Sequence, residues 1–301
     1  MSSSAGLLVI WDFDWTLINE NSDTYVIEQC GGAGATAKMK ALTGLFWTQR
    51  MSLMLQHLTG RLGAHVGAGL GVTAADMARC MKGIPVFPEN LDLVRALGER
   101  EDVVQVIVSD ANTLFIETYL EQMGLGGCFD AVYTNPVEWK SGRGRGDGGG
   151  DGGGDGSGDE RGDERNGGEG KEGNTETITA TAPTTTGRVL HVKPFVDPDR
   201  PHGCATCEKT PNMCKGAIVD LVRARFPATN AAAVVQKVVY LGDGRGDFCG
   251  ACRLSRGDTI LCRQGYALSK MLSETPPNAL DVCVWDNGKD ILRAFEERSL
   301  L

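Results

Sequence analysis

Short, almost uninterrupted apolar runs separated by helical patterns most constrain how this 301-residue chain can fold. Leu7–Trp11 and Val103–Val108 are two such runs, and both have the length of a strand rather than of a helix. A run of this kind predicts a strand buried on both faces, which is typical of parallel sheets. Predicted strands cover residues 6–12, 103–108, 131–134, 234–241, 260–262 and 282–284. Because helical patterns separate most of them, the sequence predicts an α/β fold with a doubly wound parallel sheet.

The helical patterns are distributed unevenly along the chain. They cover residues 22–30, 37–60, 73–82, 89–100, 113–123, 214–226 and 291–298. Those between residues 20 and 85 follow one another with no strand between them. We therefore expect a helical cap at 20–85, inserted into an α/β core that is formed by residues 1–19 and 86–301.

A segment from residue 141 to residue 187 consists of glycine, acidic residues and threonine with almost no apolar residues. Such a composition buries too little surface to offset the entropy of ordering, so the sequence predicts disorder here. The segment carries about half of the net charge of −9, which leaves the rest of the chain only mildly acidic. We expect residues 134–136 and 191–193 to form the rim of a surface loop from which the segment emerges.

The overall charge argues against a general nucleic-acid binder, because such proteins present a basic surface. The sequence contains no basic amphipathic stretch, no signal-peptide core and no apolar segment of membrane length. We therefore expect a cytoplasmic protein without a membrane partner.

The ten cysteines are scattered, and we expect most of them to be free thiols in a reducing compartment. Cys204-x-x-Cys207, with Cys214 and His202 nearby, leaves a zinc knuckle open as an alternative. A second pair, Cys249-x-x-Cys252, is interpreted as packing rather than as a redox site.

Polar residues follow several of the predicted strands. Asp12 and Asp14 end the first strand, Ser109 and Asp110 follow the second, and Asp243 and Asp247 follow the strand at 234–241; Lys215 begins a helix. In open α/β sheets these carboxyl ends converge, and ligands bind there. Two adjacent buried carboxylates require a cation or a proton, so Asp12 and Asp14 indicate a metal site or a nucleophile beside a proton donor. Taken alone, the pair is also compatible with an ordinary acidic turn.

These residue types suit phosphoryl transfer, which needs a nucleophile, a proton donor and positive charge around the transferred oxygens. Asp12 is the candidate nucleophile, and Asp14 is the candidate proton donor and base. Ser109 and Lys215 are candidates for binding phosphate oxygens. Asp243, with Asp247 as a further candidate, completes with Asp12 an oxygen site for Mg²⁺.

The same motifs resemble those of haloacid-dehalogenase-type phosphatases. A narrower resemblance, to the phosphoethanolamine/phosphocholine and pyridoxal-phosphate phosphatase subfamily, rests on longer stretches: residues 20–23, 108–113, 115–117, 202–204 and 211–216. The resemblance implies a Rossmann-like core with a cap, and hydrolysis of a small phosphoester through an aspartyl-phosphate. It also implies Mg²⁺ bound by Asp12, by the backbone carbonyl of Asp14 and by Asp243.

The resemblance further implies substrate contacts from Asp23 and Asp110, and a pair of carboxylates fits an amine-bearing substrate. The structural alternatives are that Asp23 interacts with a helix dipole and that Asp110 caps a helix. Trp47 and Tyr25 are interpreted as core residues, with lining of the substrate pocket as the alternative. Trp15, between Asp14 and Thr16, departs from the usual pattern at the mouth of the site.

Three alternatives concern activity. Relatives of the subfamily are associated with inorganic pyrophosphatase and with thiamine-monophosphate phosphatase activity. The third is an inactive scaffold resembling a phospho-receiver, which has no use for Asp14 as a base or for a helical cap. The oligomeric state is left open by the sequence.

Overall fold

A computed structural model describes residues 6–60, 69–141, 188–197, 202–207, 212–226, 237–277 and 280–301. Apart from Ser141, the segment predicted to be disordered, residues 141–187, lies outside the described residues.

The core is a six-stranded sheet in which all neighbouring strands are parallel, in the order β3-β2-β1-β6-β7-β8. Its strands are β1 (Leu7–Trp11), β2 (Val103–Asn112), β3 (Ala131–Asn135), β6 (Lys237–Gly242), β7 (Thr259–Arg263) and β8 (Asp281–Trp285). The predicted α/β fold class is therefore confirmed. The strand order reverses between β1 and β6, which is the position where open α/β sheets bind ligands.

The helices alternate with the strands of the sheet except near the amino terminus. They are α1 (Ser22–Gly31), α2 (Ala35–Lys40), α3 (Trp47–Thr59), α4 (Ala74–Lys82), α5 (Pro88–Gly98), α6 (Thr113–Gln122), α7 (Lys215–Arg225), α8 (Asp247–Ala251), α9 (Ala267–Glu274) and α10 (Gly288–Glu297). The single helix predicted at 37–60 is wrong, because Gly44 between α2 and α3 has the left-handed φ of 78°. The short helices α8 and α9 are additions to the sequence prediction.

Two apolar layers cover the two faces of the sheet. Along β1, Val9 and Trp11 point into one layer, whereas Leu8 and Ile10 point into the other. Helices α5, α6 and α10 pack on the first face, and α7 and α9 pack on the second. Each fully buried side chain of this kind contributes roughly 1.5–3 kcal/mol. Because apolar layers pack on both faces of the sheet, the carboxyl ends of β1, β2 and β6 form one rigid edge.

The chain on both sides of residues 142–187 forms an antiparallel hairpin of β4 (Val137–Ser141) and β5 (Arg188–Val192), rather than the irregular loop rim expected from the sequence. The hairpin packs on α3: Val192 N donates to Ser52 Oγ at 2.8 Å, and Gln56 Nε2 donates to Leu190 O at 3.0 Å. The division of the chain into a core and a cap stays a prediction.

A search of the described residues for membrane spans finds no helix with the required length and hydropathy.

Candidate active site

Asp12 lies at the carboxyl end of the central strand and is buried. Its backbone N–H donates to Leu241 O at 2.9 Å, which holds it against β6. Its Oδ1 accepts a hydrogen bond from Phe13 N at 2.8 Å and lies 2.9 Å from Lys215 Nζ. Burial raises the pKa of Asp12, and the Lys215 charge opposes that rise. The carboxylate that the sequence marks as the nucleophile is thus paired with a buried cation.

Asp247 connects Lys215 to the loop after β6. Lys215 Nζ donates to Asp247 Oδ1 at 2.7 Å, and Tyr240 OH donates to the same oxygen at 2.8 Å. The other oxygen, Oδ2, accepts from Asp243 N at 3.1 Å and from Gly244 N at 2.8 Å. Asp247 is fully buried, and both of its oxygens are occupied by protein donors. This arrangement positions Lys215 and the loop, and sequence reasoning missed Tyr240 as part of it.

Asp12, Asp243 and Asp247 form a compact oxygen cluster, because one carboxylate oxygen from each lies within 4.8 Å of the others. Burial, together with the charge of Asp247, raises the pKa of Asp243 to about 7. Hard oxygen ligands of this type are those that Mg²⁺ takes in proteins, so the donor set fits that ion.

Asp14 lies in an irregular helical turn, Phe13–Leu17, and its carboxylate accepts from two neutral donors. Ser22 N donates to Oδ1 at 2.9 Å, and Asn21 Nδ2 donates to Oδ2 at 2.8 Å. Burial raises the pKa of Asp14 well above its ordinary value, and the nearby charge of Asp23 raises it further. Hydrogen bonds from Ser22 oppose this rise at Asp14, whereas the charge of Lys215 opposes it at Asp12.

Arg263 supports the turn that carries Asp14 and was not identified from the sequence. It is the last residue of β7, and its Nη1 donates to Trp15 O at 2.7 Å. Trp15 has a left-handed φ of 56°, and its ring packs against Tyr266 at 5.8 Å between centroids. The guanidinium of Arg263 lies 4.7 Å from the Tyr266 ring centroid. These contacts hold a backbone conformation that a bulky side chain rarely adopts.

Ser109 and Asp110 end β2 beside the same edge of the sheet. Ser109 is buried, and its Oγ accepts from Ala111 N at 3.3 Å, which leaves the hydroxyl proton available as a donor. Asp110 is exposed, yet its charge raises the pKa of both Asp12 and Asp14. The alternative that Asp110 caps the following helix is wrong, because Asn112 caps α6.

Asp23, in the first turn of α1, is a buried carboxylate without a cationic hydrogen-bond partner in the described residues. Trp47 Nε1 donates to its Oδ2 at 2.6 Å, and Asn112 Nδ2 donates to its Oδ1 at 2.9 Å. Burial raises the pKa of Asp23 to about 7. Trp47 therefore contacts a candidate substrate residue, whereas the Tyr25 hydroxyl donates to Gly83 O at 3.0 Å. Asn112 was missed by the sequence analysis, although its position after Asp110 is a usable signal.

The comparisons with known proteins agree with this geometry. The family model described as "Putative Phosphatase" matches residues 7–145 and 177–298. "Inorganic pyrophosphatase 2" of Arabidopsis thaliana is 27% identical over 300 residues, covering 99% of this chain and 85% of that protein. "Pyridoxal phosphate phosphatase PHOSPHO2" of Homo sapiens is 25% identical over 292 residues, covering 95% of each.

Among solved structures, a phospho-aspartyl intermediate analogue of phosphoserine phosphatase aligns with a TM-score of 0.51 at 13% identity. It covers 97% of this chain and 99% of that one, and this likeness concerns the fold. Because the family model matches most of the chain, the protein belongs to the "Putative Phosphatase" family. It is a phosphatase, which agrees with the resemblance of its motifs to those of haloacid-dehalogenase-type phosphatases.

Proposed function

We propose that this phosphatase is Mg²⁺-dependent and hydrolyses a small, amine-bearing phosphomonoester through an aspartyl-phosphate on Asp12. The observation that carries the proposal is the different environment of neighbouring carboxylates: Asp12 lies 2.9 Å from Lys215 Nζ, whereas the hydrogen-bond donors to Asp14 and Asp23 within the described residues are neutral.

Asp12 is suited to nucleophilic attack because Lys215 favours its ionised form. In the first step a carboxylate oxygen of Asp12 forms a bond to phosphorus while the bond from phosphorus to the leaving oxygen breaks. Asp14 donates its proton to that oxygen, so the product leaves as an alcohol.

The second step uses Asp14 in the opposite direction. Water attacks phosphorus, its proton passes to the Asp14 carboxylate, and the bond from phosphorus to Asp12 breaks. Free Asp12, protonated Asp14 and inorganic phosphate are the products, so protons balance over the cycle. A group that alternates in this way needs a raised pKa, and burial raises the pKa of Asp14.

Asp12, Asp243 and the backbone carbonyl of Asp14 are the residues that we propose hold Mg²⁺. The bound ion would offset the repulsion between the nucleophile and the phosphate oxygens. Ser109 and Lys215 are proposed to bind those oxygens. We assign Asp247 a positioning role rather than metal ligation, because protein donors occupy both of its oxygens.

Asp23 and Asp110 are proposed to bind the substrate amine. Both are acidic, the charge of Asp110 raises the pKa of Asp23, and neither of the two donors to Asp23 is charged. A buried carboxylate without a countercharge is costly, and a substrate ammonium group would reduce that cost. Phosphoethanolamine, phosphocholine and pyridoxal phosphate all contain a nitrogen that can carry positive charge.

Inorganic pyrophosphate is the second candidate substrate, because the Arabidopsis relative that aligns over 99% of this chain is named for that activity. Its additional negative charge would face Asp23 and Asp110, and for this reason we place it after the amine-bearing esters. Thiamine monophosphate, which carries a cationic ring, remains within the favoured class.

The test is a substrate panel measured with and without Mg²⁺. It compares kcat/KM for phosphoethanolamine, phosphocholine, pyridoxal phosphate, thiamine monophosphate and pyrophosphate. An aryl phosphate whose aromatic group carries no charge is the reference. We expect activity only with Mg²⁺ and higher kcat/KM for the cationic esters than for pyrophosphate. Preference for pyrophosphate would overturn the assignment of Asp23 and Asp110, and full activity without divalent cations would overturn the metal assignment.

A further inference from the structure

Four cysteines from three separate segments converge beside the proposed catalytic residues. Cys204 and Cys207 lie in the loop before α7, Cys214 is the N-cap of α7, and Cys249 lies in α8. Their Sγ atoms all lie within 4.8 Å of one another. A tetrahedral zinc site with Zn–S bonds of about 2.3 Å has sulfur–sulfur distances of about 3.8 Å, so the cluster has the size such a site requires.

Backbone N–H groups of α7 point at two of these sulfurs. Ala217 N donates to Cys214 Sγ, and Gly216 N donates to Cys249 Sγ, both at 3.3 Å. Backbone donors aimed at sulfur stabilise the charged form that a metal ligand requires.

The backbone brings the cysteine-bearing helices unusually close. A Cβ atom at Gly216 would lie 2.8 Å from Cys249 O, so only glycine permits this approach of α7 to α8. Cys207 N also donates to Cys204 O at 3.3 Å, which closes the turn between the two cysteines of the C-x-x-C pair. The three buried cysteines form a small cluster of their own, separate from the two apolar layers of the sheet.

We propose that Cys204, Cys207, Cys214 and Cys249 bind one structural Zn²⁺ ion as four thiolates. The thiol protons leave to solvent when the ion binds, and no oxidation is involved. Four protein ligands fill the tetrahedral coordination of zinc, so the site has no open position for catalysis.

This assignment changes three expectations from the sequence. His202, considered there as a ligand, is not part of the sulfur cluster; instead its Nδ1 accepts from Cys204 N at 3.3 Å. Cys249, interpreted there as a packing residue, provides the fourth sulfur. Free thiols at these four positions, the interpretation favoured by the sequence, are replaced by metal ligands.

The proposed ion would join the two segments that hold the Lys215–Asp247 pair. Cys214 directly precedes Lys215, and Cys249 lies two residues after Asp247. A metal bound to both segments fixes the separation of the lysine and the aspartate, which are 32 residues apart along the chain.

The zinc content of the full chain tests the proposal. We expect the protein, produced with zinc supplied and exchanged into metal-free buffer, to retain about one zinc ion per chain by elemental analysis. Cys204→Ser and Cys249→Ser should each reduce this content by about tenfold. The matched controls Cys252→Ser, at an exposed cysteine in the same region, and Cys30→Ser should retain it. A wild-type protein without zinc, or a Cys249→Ser variant with unchanged zinc, would overturn the proposal.

Cobalt substitution keeps the test decisive if a serine variant fails to fold. In the wild-type protein Co²⁺ should produce the intense absorption of tetrahedral cobalt–thiolate coordination, and adding Zn²⁺ should remove it. Asp12→Asn, which alters the proposed Mg²⁺ site, should leave the absorption unchanged. Absence of the thiolate bands, or their loss in Asp12→Asn, would show that these four sulfurs do not hold the metal.

Discussion

The two ends of the acidic site contain the same type of residue but balance its charge differently. At the reaction end, Asp12 and Asp247 share the buried cation Lys215. At the recognition end, Asp23 is buried with neutral donors, and Asp110 is exposed beside it. Chemical role therefore follows from the partners of a carboxylate rather than from its identity. We propose that Lys215 prepares Asp12 for attack and that Asp23, which accepts from neutral donors, binds a cationic substrate.

The largest expected effect is that of Asp12→Asn at the reaction end. The amide is a poor nucleophile, so kcat should fall by about 10⁴-fold or more for every substrate in the panel. Steady-state kinetics measures the loss, and circular dichroism checks the fold. Asp92→Asn, on the exposed surface of α5, is the control and should retain full activity. If Asp12→Asn kept the kcat of the wild type, Asp12 would not be the nucleophile, and the two ends of the site would not differ in the way proposed.

Asp247→Asn should affect both activity and stability. An amide in this position loses hydrogen bonds whichever way it turns, because its NH₂ group must face backbone donors or Lys215. We expect a loss of roughly 2–3 kcal/mol in unfolding free energy and about a hundredfold in kcat. Urea unfolding and kinetics measure the two effects.

The control for Asp247→Asn is Asp220→Asn, which removes a solvent-exposed partner of Arg253. This change should cost less than about 1 kcal/mol. Equal costs for the two variants would show that Asp247 has no special positioning role.

Asp110→Asn should change substrate preference rather than the chemical step. Removing one negative charge weakens binding of a cationic ester by about tenfold in KM and improves binding of pyrophosphate. The ratio of kcat/KM for phosphoethanolamine to that for pyrophosphate measures this change, with the aryl phosphate as reference. If the two substrates change in parallel, Asp110 does not belong to a recognition end.

The smallest expected effect concerns the pH dependence of stability. Burial raises the pKa of Asp23 from 3.8 to about 7, so the folded protein retains a proton that the unfolded chain has already released. The contribution of Asp23 to the free energy of unfolding therefore decreases as pH rises from about 4 to 7 and is constant above that range.

Asp23→Asn should make the decline in unfolding free energy with pH shallower between pH 4.5 and 8. Urea unfolding at several pH values measures the slope in both proteins. Asp92→Asn, at a solvent-exposed acid of α5, is the control for a simple loss of charge. Identical slopes in the wild type and Asp23→Asn would mean that Asp23 is ionised throughout, as a carboxylate with a hidden cation would be.

Local patterns predicted the elements that are regular, and missed those that depend on distant contacts. The apolar runs located all six strands of the main sheet, and they are nearly continuous in β1, β6 and β7 because these strands are buried on both faces. The β4–β5 hairpin was missed, because its burial depends on Ser52 and Gln56 of α3. Tyr240 was assigned to a strand, but its hydrogen bond to Asp247 is not visible from the sequence.

The sequence by itself determined the order of the main-sheet strands and the residue types at their ends, because side-chain periodicity and turn residues act over a few positions. Only the tertiary structure decided which carboxylates meet Lys215 and which meet neutral donors. It also decided that Cys249 lies with Cys204, Cys207 and Cys214. The physical reason is that these contacts depend on how helices pack across a sheet, and that packing joins residues whose separation along the chain carries no information about their distance in space.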